Sequence, residues 1–351
     1  MALFGMGKKP TTFGLDIGAS SIKVVELVRG KAGYALKSHA IVTLPRDAIT
    51  EGSIRKPSVV TDAIKECVRK AGITTPAAVI SVSGRDSIVK RVPLPKVSAK
   101  ELADAIVLEA EHHIPFAIDE VFLDYHVVGR HDGAMDLILV AVKKSKVVEY
   151  VGVVEEAGLN AVVVDVDGFA LGNQFELNQA HERGEAVALI DIGASIMKTN
   201  VLRGATPIFA RDIPFGGNNY THAIAQHLKI PFDQAEGAKL GRDVGVSWES
   251  LVPALESVSR ELSLEVQRTF DYFASTADSE RIGKIVLAGG CAQLPGLTDY
   301  LSSTWGIPVE LSQPFARIDV SSGHSESVGA AGPSLAVAVG LALRQPGDRN
   351  E

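Results

Sequence analysis

The sequence predicts an α/β protein of two similar halves, with a small α+β unit inserted into the first. Three observations carry this expectation. A ten-residue motif occurs twice. A glycine pair follows a buried apolar run near the C-terminal end. Between the two motifs, from about residue 96 to 158, the pattern of the chain changes.

The first motif is Gly14-Leu15-Asp16-Ile17-Gly18-Ala19-Ser20-Ser21-Ile22-Lys23, and the second is Leu189-Ile190-Asp191-Ile192-Gly193-Ala194-Ser195-Ile196-Met197-Lys198. Asp-Ile-Gly-Ala-Ser is identical in both, and each Asp precedes a Lys at the same distance. Each copy runs on through apolar residues to an Arg-Gly pair, Arg29-Gly30 or Arg203-Gly204, and into another apolar run. That pattern reads strand, glycine turn, strand, Arg-Gly turn, strand. A repeat at fixed spacing implies two related halves that face each other.

The chemistry of the motif suits a polyphosphate. Gly18 and Gly193 let backbone N–H groups approach an anion. Ser20 and Ser195 add hydroxyl donors. Asp16 and Asp191 end their strands, where they can hold the water shell of a Mg²⁺ ion. Lys23 is a mobile point charge for a β- or γ-phosphate. A single copy would read as an ordinary hairpin whose glycine only turns the chain. Two copies shift the reading to a shared site.

The 351 residues exceed one typical core, so two domains or a duplicated domain are expected. With 46% apolar and 22% charged residues the composition is globular, and the net charge of −7 argues against a general nucleic-acid surface. Cys67 and Cys291 are the only cysteines, far apart in sequence. They form no disulfide framework or Cys-rich metal site, and they fit a reducing cytoplasm. No run reaches the ~18 apolar residues that span a bilayer. Met1 to Pro10 reads as a flexible leader; Leu3, Phe4 and Met6 beside Lys8-Lys9 offer the alternative of a membrane-touching end. Residues 344–351 read as a flexible tail.

Residues 11–95 form the first half. A strand over 34–44 continues the first hairpin set, 46–57 is a loop, and Val59 to Ala71 is a helix ended by Gly72. Strands follow over Ala77–Val82 and Ser87–Leu94. Residues 96–158 are the inserted unit. Ser98 and Glu101 make a capping box for a helix to about His113, followed by strands at Val121–Val128 and Asp136–Val142 and a helix over Ser145–Ala157. His112 and His113 are helix neighbours about 100° apart, so they share no ligand face. Residues 159–343 hold a strand over Ala161–Val166, a linking helix and the second half. There Glu236 and Lys239 lie close on one helix, and Leu251 to Phe273 shows an apolar stripe that is core. Gly289-Gly290-Cys291 follows a buried strand, where glycines let a flat ring approach the backbone. Leu335 to Leu343 is a closing helix rich in small residues.

Hairpin, linking helix, hairpin, Gly-Gly turn and small-residue helix, in that order, resemble the actin-like ATPase superfamily. The resemblance implies a duplicated actin-like (ribonuclease H-like) fold, and the position of the insertion resembles the FtsA-type α+β subdomain. Glu109-Ala-Glu-His-His-Ile-Pro-Phe116, with Asp119-Glu-Val121 and Leu123-Asp124, is similar to the signature of the PilM family of type IV pilus assembly. The chain ends without the amphipathic helix common in FtsA-type proteins, which favours the PilM resemblance. It covers residues from about 11 to 343.

The resemblance implies ATP and Mg²⁺ as ligands. Asp16, Gly18, Ala19, Ser20 and Lys23 match the first phosphate loop, and Asp191, Gly193, Ala194 and Ser195 the second. Gly289, Gly290 and Cys291 match the adenosine loop, and Glu236 and Lys239 the helix pair framing ribose and adenine. Asp16 and Asp191 would hold Mg²⁺ through water. Asp165 matches the residue that orients the attacking water. The second loop departs from the pattern, with Ala194-Ser195-Ile196-Met197 where relatives have a Gly- and Thr-rich turn. Nucleotide binding with at most slow hydrolysis is therefore expected. The implied partner is the N-terminal cytoplasmic peptide of PilN, bound in a groove between the inserted subdomain and the first sheet, with Val79 to Leu94 as one wall. Other pilus assembly proteins and a homo-oligomer stay open as partners. Membrane contact would run only through partners, at the cytoplasmic side of the inner membrane, in a machine that drives twitching motility. The alternatives are an FtsA-like filament-forming division protein and a small-molecule kinase of the same superfamily.

Overall fold

The computed structural model describes residues 11–348 apart from 32, 99–100, 132, 180–184 and 277–280. The expected leader, Met1 to Pro10, lies outside the described residues.

The first half opens with the meander β1 (Phe13–Ile17), β2 (Ser21–Gly30) and β3 (Gly33–Thr43), each antiparallel to the next. A short hairpin of β4 (Ile49–Thr50) and β5 (Ser53–Ile54) follows, inside the stretch expected to be loop. Helix α1 (Pro57–Ala71) starts at a proline, which needs no N–H there, and ends at left-handed Gly72. Strand β6 (Ala77–Val82) then returns parallel to β1 on its other side. The chain leaves this sheet through β7 (Ser87–Pro95), α2 (Leu102–His113), β8 (Val121–His131) and β9 (Ala134–Lys143), and comes back through α3 (Lys144–Glu156) and β10 (Asn160–Val166), parallel to β6.

Helix α4 (Asp167–Asn178) links the halves. The meander is then repeated by β11 (Ala186–Ile192), β12 (Met197–Arg203) and β13 (Thr206–Ile213). Helices α5 (Gly217–Leu228), α6 (Phe232–Lys239) and α7 (Trp248–Thr276) lead to β14 (Ile282–Ala288), parallel to β11, then α8 (Leu297–Trp305) and β15 (Val309–Leu311). Finally β16 (Ile318–Asp319), α9 (Ser322–Ala331) and α10 (Ala336–Ala342) carry the chain back to the first sheet. The order β3-β2-β1-β6-β10 is matched by β13-β12-β11-β14-β15. The duplication read from the motif is thus a duplication of the sheet.

Each sheet has its own core. Phe13, Leu15, Ile64 and Ile80 close the first, and Ile190, Tyr220, Leu262 and Leu287 the second. The α7 stripe, Leu251, Leu255, Val258, Leu262, Val266, Phe270 and Phe273, is buried throughout. Helix α10 is wedged against β1 and α4, and there a Cβ on Gly340 would sit 1.7 Å from the Ala170 carbonyl oxygen. Only glycine permits that approach, which is why the closing helix is built of small residues. The halves are therefore joined twice, by α4 and by the return through β16 to α10.

The inserted subdomain has other limits than 96–158. Its sheet order is β7-β9-β8, so β7 belongs to it: Val92 and Leu94 pack with Ile106, Leu137 and Leu139 in a separate small core. Helix α3 belongs to the first half, since Tyr150, Val153 and Val154 are buried in the core of Phe13 and Ile80. Ser98 and Glu101 do bond, Oγ to carboxylate at 2.7 Å, ahead of α2.

The tail is tied down as far as Asp348, contrary to expectation. The Arg344 carbonyl accepts from Thr12 Oγ1 at 3.2 Å, and Gln345 Nε2 donates to the same hydroxyl at 2.9 Å. Among the described residues no helix is long and apolar enough to cross a membrane.

Candidate functional site between the two hairpins

The β1–β2 and β11–β12 turns are built alike. Gly18 N–H donates to the Ser21 carbonyl and Gly193 N–H to the Ile196 carbonyl, both at 3.1 Å. These two donors close the turns, so any N–H offered to an anion must come from the residues of the tips. The tips, Ala19–Ser20 and Ala194–Ser195, are more open, with Ser20 exposed and Ser195 half-buried. The second turn is also anchored to α5: Gly217 N–H donates to the Gly193 carbonyl at 2.9 Å and Asn218 N–H to Ala194 at 2.8 Å.

The registers place Asp16 opposite Lys23 and Asp191 opposite Lys198. Lys23 Nζ meets Asp16 Oδ2 at 2.8 Å. Lys198 Nζ lies 2.9 Å from Asp191 Oδ2 and 2.7 Å from Asp167 Oδ2. Burial works against the Lys198 ammonium, but Asp167, Asp191 and Asp16 together hold its pKa well above the ordinary lysine value. Burial likewise works against the Asp167 carboxylate; Lys198 and the Ser81 and Ser83 hydroxyls outweigh it and hold its pKa low. Asp16 and Asp191 are both buried, and both carboxylates act on Lys198. They face one gap.

The gap is bridged elsewhere too. Asn200 Nδ2 donates to the Gly168 carbonyl at 2.7 Å, and Gly84 N–H to Asp212 Oδ2 at 2.5 Å. Burial of the Asp212 carboxyl in the cleft wall pushes it above the usual carboxylate range, against the pull of Gly84.

The residue implied for water orientation, Asp165, is not at this gap. Its carboxylate lies 3.3 Å from Arg344 Nε in the packed tail, where burial pushes its pKa up. Asp167 lies at the gap instead. Strand β10 ends at Val166, and Asp167, at the start of α4, turns toward Lys198.

The third glycine site closes against the second hairpin. Gly289 has φ +88°, and a Cβ there would lie 2.4 Å from the Ile192 carbonyl and 2.5 Å from Asp191 Oδ1. Any side chain would collide with that carboxylate. Glu236 and Lys239 pair at 2.7 Å, and Lys239 also donates to Thr221 Oγ1 at 2.8 Å and to the Gly217 carbonyl at 3.0 Å. Cys291 is buried beside Gly217, and burial pushes its thiol up to about 11. Gly217, Thr221, Asp167, Lys198 and Asp212 were absent from the expected set. The Asp-to-Lys spacing of the repeat was the one sequence signal for Lys198.

A cavity of 860 Å³ opens beside the Asp167–Lys198 pair, lined by Ser87 to Arg91 of β7 and by Ile208 to Asp212 of β13. Both strands are sheet edges. Gly289, Gly290, Cys291, Glu236 and Lys239 lie outside its lining. His113 pairs with Glu109 at 3.0 Å, and among the described residues no three His, Cys, Asp or Glu side chains converge as a metal cage. The donor set suits a hydrated Mg²⁺, which asks only for one or two carboxylates and keeps its waters. Asp16 and Asp191 would hold it, and it would neutralise phosphate charge.

Comparison with known proteins gives the fold and site a family. The profile of the family described as type IV pilus assembly protein PilM matches residues 14–346. This chain belongs to the PilM family. A solved structure titled PilM-PilN type IV pilus biogenesis complex is 30% identical at a TM-score of 0.87, covering 97% of this chain and 100% of that one. Cell division protein FtsA of Streptococcus pneumoniae is 26% identical over 86% of this chain and 75% of its own length. MreB5 of Spiroplasma citri, solved bound to ADP, shares 12% identity at a TM-score of 0.51, over 94% of each chain. The fold is the duplicated actin-like ATPase fold, in its FtsA-like form.

Proposed function

We propose that this chain is a cytoplasmic, ATP-binding scaffold of type IV pilus assembly, lying against the inner membrane through its partners. It holds ATP with Mg²⁺ between the two hairpins and the N-terminal cytoplasmic peptide of PilN in a separate groove. The observation that carries the nucleotide reading is the convergence of Asp16, Asp191 and Asp167 on Lys198, with both hairpin tips beside them. Ser20 and Ser195 add hydroxyls at the tips, Gly289–Gly290–Cys291 faces the ring, and Glu236–Lys239 flanks it. Asp167, not Asp165, orients water. With Ala194 and Ile196 flanking Ser195, few hydroxyls meet a γ-phosphate, so hydrolysis is slow.

The match to a PilM-PilN complex supports the partner, and the cavity between β7 and β13 offers it a seat. Strands β7 and β13 each end a sheet and line one cleft, and such an edge can take an extended peptide by main-chain pairing, with Ile88, Phe169 and Phe209 receiving its side chains. This modifies the expected groove: β7 is one wall, but the other is β13 of the second half. Because the cavity reaches Asp167 and Lys198, nucleotide would bias the peptide's affinity.

Fluorescence anisotropy with that PilN peptide tests the groove. Ile88→Glu and Arg211→Glu, on facing walls, are expected to weaken binding about tenfold or more. Unchanged affinity in both variants would overturn the assignment of this cleft.

A further inference from the structure

Lys198 does something that its counterpart does not. Lys23 and Lys198 sit at equivalent registers, each opposite the aspartate of its own hairpin. Among the described residues Lys23 makes one ion pair, inside that hairpin. Lys198 makes the same pair and a second one to Asp167, where the chain of the first half enters the linking helix. Its ammonium touches one oxygen of each carboxylate, at 2.9 and 2.7 Å, and only 15% of its side chain is exposed. Asp191 is one of the two carboxylates, with Asp16, that would hold a hydrated divalent ion, and Asp167 shares the Lys198 ammonium with it. Lys198 therefore already stands, as a fixed positive charge, in the seat such an ion would fill. Three buried carboxylates would repel an incoming polyanion; Lys23 and Lys198 offset two of those charges before any metal arrives.

We propose that Lys198 is a tethered cation in the metal seat between Asp191 and Asp167, so that this chain holds nucleotide phosphates with only weak dependence on a divalent ion. The inference rests on the nucleotide reading above and names how that site is charged. The side chain is too well fixed to be a free phosphate ligand. Asn200, on the same face of β12, holds the Gly168 carbonyl and keeps α4 in place against it. A metal entering the seat must displace the ammonium.

Two measurements on the full chain test this. The first is Mn²⁺ binding without nucleotide, followed by electron paramagnetic resonance, in wild type, Lys198→Met and Lys198→Arg. Lys198→Met should bind Mn²⁺ about tenfold or more tighter than wild type, because the seat is vacated and its carboxylates are left bare; Lys198→Arg should match wild type. The second is ATP affinity by calorimetry in Mg²⁺ and in EDTA. Wild type should lose less than about tenfold on chelation, and Lys198→Met about a hundredfold. Equal Mn²⁺ affinity in wild type and Lys198→Met, or a wild type that loses ATP on chelation as steeply as the variant, would overturn the proposal. If wild type binds no ATP in either buffer, the nucleotide reading falls, while the Mn²⁺ comparison still decides whether the lysine holds the seat. Should Lys198→Met fold only on addition of Mn²⁺, that rescue is itself the expected result. If it folds in neither condition, the chelation experiment on wild type decides alone.

Discussion

The two hairpins share Asp-Ile-Gly-Ala-Ser, the same turn hydrogen bond and the same Asp-to-Lys register, yet their lysines live in different surroundings. Lys23 answers one aspartate of its own hairpin, while Lys198 answers its own aspartate and one delivered by the linking helix. The local sequence sets the turn; what comes across the gap sets the charge state and the load each side chain carries. A duplicated motif therefore need not be a duplicated function. The first copy is the more open one, with exposed Ser20 at its tip, and the second is braced by α5, Gly289 and Asp167.

The sharpest way to break this comparison is to remove each lysine in turn. Lys198→Ala leaves two buried carboxylates without their cation and should lower stability by about 3–5 kcal/mol in chemical denaturation. Lys23→Ala leaves one carboxylate at the edge of the gap and should cost about 1–2 kcal/mol. Equal losses would mean that the second pair, to Asp167, adds nothing.

A smaller effect should appear in acid. The folded pKa of Asp167 lies below the ordinary value of 3.8, so its contribution is present above that pH and lost as pH falls through the lower folded value. Lys198 has a folded pKa above 10.5, so its share is present below that pH and lost only in strong alkali. The cross-gap pair is thus intact through the neutral range. Denaturation series should show wild type losing its advantage over Lys198→Ala below about pH 4. A difference between the two that is constant down to pH 2 would contradict the pairing.

Much of the fold was legible because its signals are local. The α7 stripe, the turn glycines and the two meanders each follow from periodicity and turn chemistry. What escaped was decided by packing. Ser87 to Leu94 reads as a strand of the first half, yet Val92 and Leu94 face the small core of the inserted subdomain. Helix α3 reads as part of the insertion, yet Tyr150 and Val154 are buried against the first sheet. The site shows the same division. The motif marked Asp16 and Asp191, but Asp165 and Asp167 are both acidic and two apart, and only the strand-to-helix boundary at Val166 sends one to the tail and the other to the gap. The cross-gap bond from Gly84 to Asp212, set by tertiary placement, had no sequence signal at all.

The most direct test is calorimetric titration of Mg·ATP into wild type, Asp16→Ala, Asp191→Ala and Asp165→Asn. Binding is expected in wild type and in Asp165→Asn with equal affinity, and about tenfold or more weaker in each of the other two. Wild-type affinity in both Asp16→Ala and Asp191→Ala would show that the paired hairpins do not hold the nucleotide.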